Sequence, residues 1–490
     1  MRISGTPFSS VEQLRAIEQR IEAEPDDVDI QFERARCLDD LGRVEPALHA
    51  YRALLDLEPK HFGALTNLGT LFLEQGMPDG ARAAFSAALD SDWEDPLAHL
   101  NIALLDLHAG AYAAAREHFE RVLRLFPDDA HARLHAHNGL SRLYEREGDD
   151  ERADEHLRLA FEKPMVWTFP YRGTGAPLRV LVLTSPRGGN MISNQFFDDS
   201  LVERVVIVPE ALGAGSVLPP HHVIFNAIGD PDTTRRTLER AAAIVATSQA
   251  PLINAPRAVL RTDRQSMMER LADIPLLIAP RTRRLRRDDV TAERLQADGF
   301  AFPLLLRSPG FHAGDHFELV AQAGDLPAAL AALPGAELYA IAFHDARGAD
   351  GWVRKYRVAF IDGRPYPVHL ALAQQWKVHY FSGAMAESAA HREEERRFLD
   401  DMEAVLGDAG MVRLAAVRDA MQLDYGGVDF GRDRDGRIIA FEANAAMAIY
   451  PPPDDPSWDY RRAAHARAIA AVRAMLLDRA VTGGYTPPSR

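Results

Sequence analysis

The residues best suited to chemistry lie near the C-terminus, in two short runs. Residues 426–431 carry Asp429 between glycines, and residues 437–444 end in Glu442, Ala443 and Asn444. Between them sits Asp435-Gly436, which predicts a two-residue hairpin turn when it separates apolar-alternating runs. About such a turn Asp429 faces Glu442, and Asn444 shares their side because strand side chains alternate. Gly427 then lies opposite Asn444 and leaves room beside it. Val428, Phe430, Ile439, Phe441 and Ala443 are expected on the other face, in the core. Carboxylates facing across a ladder destabilise it unless a cation intervenes. Two carboxylates and an amide oxygen suit Mg2+, which is usually shared with nucleotide phosphates. The competing reading is an edge hairpin with a solvated polar face, against which stand the flanking glycines and strongly apolar borders.

The chain that must position this hairpin has 490 residues, enough for two to four domains with their own cores. Its 47% hydrophobic and 26% charged content is that of an ordinary globular protein. A single cysteine, Cys37, excludes an intramolecular disulfide and a cysteine-based metal site. Neither a signal-peptide core nor an apolar run of about 20 residues is present, so a cytoplasmic protein without a membrane partner is expected. The net charge of −15 is uneven: residues 1–165 hold 18 Lys and Arg against 32 Asp and Glu. An acidic first third argues against nucleic acid and for solubility or a basic partner.

That first third repeats every 34 residues. Gly42, Gly76 and Gly110 keep this spacing, as do Ala47, Ala81 and Ala115, the aromatics Tyr51, Phe85 and Phe119, and the small residues Ala35, Gly69 and Ala103. Pro59, Trp93 and Pro127 close three units, and Gly148, Ala153 and Leu157 mark a fourth with four additional residues. Each unit reads as two amphipathic helices joined at the glycine, the small residues admitting close approach and the aromatic filling the gap. The array resembles the tetratricopeptide repeat, with residues 65–76 near its consensus. The resemblance implies an all-α solenoid over residues 1–163, capped by a helix at 11–24, and a peptide or protein bound on its concave face. Asn67 and Asn101, at one repeat position, are candidates to hold that peptide.

Pro164, Pro170, Gly173, Gly175 and Pro177 indicate a linker over residues 164–177. Residues 178–184 then read as a buried strand ending in a glycine-bearing loop, 185–190, assigned to the substrate side because it lacks a dinucleotide or P-loop pattern. Strands at 204–208, 222–226 and 243–247 and a helix at 233–243 predict a small α/β domain, 178–252. A hairpin at 352–373 places Lys355 and Arg357 on one face. In this order, ending in the carboxylate hairpin, the segments resemble the ATP-grasp superfamily over about three fifths of the chain. The resemblance implies an ATP-grasp domain over 253–478, a disordered tail at 479–490, and ATP with Mg2+ held by Asp429, Glu442 and Asn444.

By the same resemblance, Arg264 stands where the family has Asp-Lys, and Arg307 where it has a phosphate-binding lysine before proline. Loop 308–315 would cover the phosphates, and Ile341, Ala342 and His344 would form the hinge that reads adenine. Asp345 would hold ribose, and Lys355, Arg357 and Lys377 would hold phosphate or substrate. Arginine keeps the charge of the replaced lysines with a different geometry. The implied activity is a carboxylate–amine ligase working through an acyl phosphate, with catalytic Arg307, Arg357 and Lys355. His312, His369 and His379 are candidates to deprotonate the amine. Three functions stand at this point: a ligase acting on a peptide or carrier-bound substrate held by the repeats, a ligase or kinase of free small molecules with the repeats used only for assembly (docking or a homodimer), and a nucleotide-binding scaffold without catalysis.

Overall fold

The 34-residue period is written first in the helix starts. In the computed structural model, which describes residues 11–41, 43–75, 77–161, 166–212, 216–311, 314, 316–378, 385–453 and 455–486, side chains of Asp27, His61, Asp95 and Asp129 cap four helices at that spacing. Each accepts a backbone N–H that the helix leaves without an internal partner. The chain forms two compact units, residues 1–162 and 163–490.

The first unit is a tetratricopeptide-type helical stack. Its helices are α1 (Val11–Ala23), α2 (Val28–Asp40), α3 (Val44–Leu57), α4 (Phe62–Glu74), α5 (Pro78–Ser91), α6 (Pro96–His108), α7 (Tyr112–Leu125), α8 (Ala130–Glu147) and α9 (Asp150–Ala160). The longer α8 absorbs the additional residues of the last unit, and Gly148 ends it with φ +79. Ala47, Ala81, Ala115 and Ala153 are fully buried, as are Tyr51, Phe85 and Phe119. Gly69 faces the Phe85 ring so closely that a Cβ there would lie 2.6 Å from it. Gly42 and Gly76 of the expected series lie outside the described residues. Asn67 and Asn101 are 2% and 0% exposed. They therefore serve the interior of the stack, and the expectation that they present amides to a bound peptide is corrected.

The second unit is mixed α/β. Strands β1 (Val166–Phe169), β2 (Leu178–Leu183), β3 (Val202–Ile207), β4 (Val223–Asn226) and β5 (Leu252–Ile253) form one sheet in the order β1-β3-β2-β4-β5. It is parallel except for β1, so the segment expected to be a plain linker contains an edge strand. Helix α10 (Pro231–Val245) covers one face and runs through the start of the expected 243–247 strand, while the last strand forms at β5.

After α11 (Pro256–Val259) and α12 (Arg264–Leu271), β6 (Leu277–Ile278) leads into β7 (Thr282–Arg286), α13 (Ala292–Ala297), β8 (Leu304–Arg307), β9 (Phe317–Val320), α14 (Leu326–Ala332) and β10 (Glu337–Ala342). The antiparallel sheet β7-β10-β8-β9 packs Leu285, Leu304, Leu306 and Leu338 against Leu295 and Leu326. The third sheet, β12-β11-β13-β14-β6, uses β11 (Val353–Ile361), β12 (Arg364–Ala373), β13 (Tyr425–Arg432) and β14 (Ile438–Asn444). Tyr356, Val358, Val428 and Phe430 from its strands join Phe398 of α15 (Ala389–Asp400) and Leu414 and Val417 of α16 (Met402–Met421) in one core. Helix α17 (Tyr460–Thr482) ties this sheet to the first, for Val472, Met475 and Leu476 share a core with Val180, Phe225 and Ile361.

The expected disordered tail is ordered through residue 486. Arg479 on α17 pairs with Asp362 and Asp424 at 2.7 and 3.2 Å, and Tyr485 is 8% exposed with its hydroxyl donating to the Ala176 carbonyl. Residues 487–490 lie outside the described residues.

Because Gly69 leaves no volume for a side chain, Gly69→Val is expected to destabilise the repeat unit by about 1–3 kcal/mol through overpacking. Urea unfolding followed by circular dichroism checks this, and an unchanged midpoint contradicts it.

Candidate functional site

The carboxylate hairpin forms with the expected facing pairs, Asp429 with Glu442 and Gly427 with Asn444, but by a different route. Its turn is a longer loop, in which Gly436 at φ +75 donates to the Asp433 carbonyl and Asp433 donates to the Arg437 carbonyl. That shifts the tip by one residue, so Phe430 pairs with Ala440, and a bulge at Phe441 restores the register before Glu442. The shift moves side chains between faces. Ile438 and Ala440 enter the core with Val428 and Phe430, whereas Ile439 and Phe441, expected in that core, line a cavity on the opposite side.

Sheet pairing lays a charged row over four strands. His369 pairs with Arg357, Arg357 with Asp429, and Asp429 with Glu442. Paired residues share a face, so this row runs along one side of the sheet. Arg357 grips Asp429 in bidentate fashion, Nε and Nη2 donating at 2.7 and 2.8 Å, and Lys355 Nζ approaches the same carboxylate at 2.7 Å. Glu442 accepts from Asn444 Nδ2 at 2.7 Å and pairs with Arg264 Nη2 at 3.0 Å, while Arg264 Nη1 donates to the Phe441 carbonyl.

Burial by itself would raise the Asp429 carboxyl, but the charges of Arg357 and Lys355 outweigh it and hold the group far below the usual carboxylate range. Burial and the neighbouring Arg264 push Arg307 down to about 10. Arg307 donates to the Phe311 carbonyl and lies over the Phe317 ring. Burial would lower Arg264 as well, but Glu442 and Asp232 raise it, so Arg307 is the cation that an anion in the site would relieve.

The row opens into a cavity of about 390 Å³. Its lining combines an apolar sleeve of Pro280, Leu305, Phe317, Ile341, Phe343 and Trp376 with a charged group of Arg264, Arg307, Lys355, Arg357, Asp429 and Glu442 and the amide of Asn444. The two groups meet where Arg307 lies over the Phe317 ring. An apolar lining joined to cations suits a ligand with a flat apolar part and a polyanionic tail.

The expected site residues therefore converge in large part. Arg264, Arg307, Lys355, Arg357, Lys377, Ile341, Ala342, His344, Asp429, Glu442 and Asn444 all line the cavity, as do Gly189 and Asn190 of the loop assigned to the substrate side. Asp345 is not among the lining residues and pairs with Arg347 at 3.1 Å, which corrects its expected ribose contact. His369 lies in the row but is 1% exposed and absent from the lining, so it is not placed to meet an amine in the cavity. His312, His379 and Asp315 lie outside the described residues, and Gly314 of the expected phosphate-covering loop borders the cavity. Sequence reasoning missed Phe317, Trp376 and Tyr450, whereas Phe343 falls within the expected hinge, residues 341–344. Trp376 directly precedes Lys377 in the segment after β12, a signal that an aromatic accompanies the cation.

The oxygen donors fit Mg2+ in kind. Among the described residues, however, no three His, Cys, Asp or Glu side chains converge as a metal site. Glu442 and Asn444 face the cavity at its wall, whereas Asp429 is fully buried with its oxygens taken by Arg357 and Lys355. Glu442 is engaged in turn by Arg264 and Asn444, and Asn444 Oδ1 accepts from the Ala446 N–H, so of the three expected ligands Glu442 and Asn444 are the ones partly exposed at the wall while Asp429 holds the adjacent cations.

Residues 14–62, 32–96 and 66–130 match the tetratricopeptide repeat family. Those matches lie wholly in the first unit. Among solved structures, the chain resembles the MamA protein (19% identity, 31% of this chain and 80% of that one, TM-score 0.28). It also resembles a MamA segment from Desulfovibrio magneticus (22%, 31% and 83%, TM-score 0.28) and a thermophilic TPR protein of Thermus thermophilus (22%, 31% and 80%, TM-score 0.27). No curated protein matches the sequence.

Removing the Asp429 charge leaves Arg357 and Lys355 uncompensated in a buried place. Asp429→Asn is expected to cost about 3–5 kcal/mol of stability in the second unit. Because the folded-state pKa is depressed, the wild-type contribution is complete above pH ~4 and fades as the pH falls further. Guanidinium unfolding at pH 7 and pH 3 checks both statements. A loss that is equal at the two pH values contradicts the second.

Proposed function

We propose that the second unit binds ATP in this cavity and acts as an ATP-grasp-type carboxylate–amine ligase, with the repeats presenting a peptide, protein or carrier-bound substrate. The observation that carries this reading is one cavity whose lining joins an apolar sleeve to four cations and two carboxylates. The sleeve would take a purine, and the cations would match a triphosphate. Ile341, Ala342 and His344 border the cavity, where base edges would be read.

Arg264 and Arg307 would neutralise the phosphates, and Lys355 and Arg357 would receive the transferred phosphoryl group or the incoming carboxylate. Glu442 and Asn444 would hold Mg2+, which supplies charge neutralisation at the phosphate oxygens. In the proposed reaction a substrate carboxylate oxygen attacks the γ-phosphorus and ADP leaves. The amine nitrogen then attacks the acyl carbon, phosphate leaves, and the nitrogen gives up its proton. The residues named here position and neutralise and form no covalent bond to substrate.

Tetratricopeptide repeats commonly mediate protein–protein contacts, and the acidic balance of residues 1–165 favours a basic partner. Among the described residues no helix is long and apolar enough to cross a membrane. The full engagement of Asp429 by Lys355 and Arg357 favours a second reading, a nucleotide-binding repeat scaffold without ligation.

Calorimetric titration of a non-hydrolysable ATP analogue with Mg2+ tests the binding step. Micromolar affinity is expected, weakened ~10–100-fold in Arg307→Ala by loss of a charge-assisted contact. Failure of folded wild-type protein to bind contradicts both readings. Binding without ADP release across a set of carboxylates and amines favours the scaffold.

A further inference from the structure

The repeat unit contains two histidine pairs that the proposed function does not use. His99 on α6 and His118 on α7 meet Nδ1 to Nδ1 at 2.8 Å. His137 on α8 and His156 on α9 meet in the same way at 3.0 Å. The pairs are related by the repeat, since each residue of the second pair lies 38 positions after its counterpart, one period plus the four additional residues. In the second repeat the equivalent positions are Leu65 and Ala84, and in the first Gln31 and Ala50. The pairs are thus confined to the last two repeats, between the two helices of each.

A contact between two ring nitrogens needs one donor and one acceptor. For the first pair the assignment follows from chemistry. His99 Nε2 lies 2.9 Å from the Trp93 carbonyl, which can only accept, so Nε2 carries the hydrogen. Neutral His99 then accepts at Nδ1, and His118 donates. A proton added to His118 at Nε2 leaves the contact intact, whereas one added to His99 at Nδ1 puts two N–H groups head to head. Each pair therefore tolerates one proton and excludes a second.

We propose that these pairs make the third and fourth repeats an acid-sensitive segment, closed near neutral pH and loosened as the pH falls toward 5. Other charges around the first pair are mixed. Asp95, Asp106 and Glu117 favour protonation, and Arg82 and Arg121 oppose it, with Arg82 already paired to Asp106 at 2.6 Å. Around the second pair Glu120 and Glu155 favour protonation, and Arg133 and Arg152 oppose it. Tyr144 stacks on His156 and carries Arg116 over its ring.

Burial lowers all four histidines, and for His137 burial and its partner His156 bring the value to about 4. A lowered folded-state value means the stabilising contribution is present above the unfolded value near 6.5 and is lost as the pH falls from there toward about 4. Between pH 7.5 and 5.5 each excluded proton shifts the closed-to-open ratio about tenfold.

Hydrogen exchange of the full chain, read by mass spectrometry at pH 7.5 and 5.5 and corrected for the intrinsic rate, tests the proposal. Opening of α6–α9 is expected to rise about tenfold or more relative to α2–α5. The double substitution His99→Leu with His118→Ala, which installs the residues of the second repeat, should abolish the excess in α6 and α7. His99→Asn, whose amide oxygen accepts from His118 Nδ1 and does not titrate, leaves no excluded proton and should do the same if the double variant fails to fold. An acid response no larger in α6–α9 than in α2–α5, or one that persists in these variants, overturns the proposal. His131 and His135 stay in α8 in every variant, so the decision rests on α6 and α7.

Discussion

The second unit is organised around one buried charge, Asp429, at the centre of a five-stranded sheet. A carboxylate with no solvent contact is tolerable only if its charge is met. Here Arg357 meets it through two hydrogen bonds and Lys355 through a third contact, both from the neighbouring strand. This arrangement fixes where the two cations stand. Because Lys355 and Arg357 are anchored by Asp429, their long side chains would lose little further freedom on meeting an anion.

Glu442 repeats the device one strand further on. Arg264 reaches it from α12 and also binds the Phe441 carbonyl, so the helix and the bulge are held together by the same guanidinium group. Charge around the cavity therefore alternates from element to element, with cations in excess. That excess distinguishes the site from a solvated hairpin face, the competing reading of the sequence. A solvated face would let its charged groups spread into water, whereas the row here is largely dry.

Much of this was legible in the sequence, for identifiable reasons. A period of 34 residues survives any error in helix boundaries, so the repeats were readable from Ala47, Ala81 and Ala115 alone. Asp429 and Glu442 were matched because Asp435-Gly436 marks a turn, yet the match held through two compensating departures, a longer loop and the bulge at Phe441. Alternation cannot foresee a bulge, which is why Ile439 and Phe441 were assigned to the wrong face. Short strands fared worst: β1 and β5 have four and two residues, and their existence is decided by pairing with β3 and β4. The role of Asp429 as anchor of Arg357 and Lys355 depends on alignment of β11 with β13, a contact between segments about 70 residues apart that no local pattern encodes.

Photolabelling tests the central claim most directly, that a nucleotide lies with its base in the apolar sleeve and its phosphates against the anchored cations. The full chain would be irradiated with 8-azido-ATP and Mg2+, digested, and the modified peptides identified. Labelling within residues 337–348 or 374–378, suppressed by excess ATP, is the result the account predicts. Labelling confined to the repeats, or none that ATP suppresses, would contradict it.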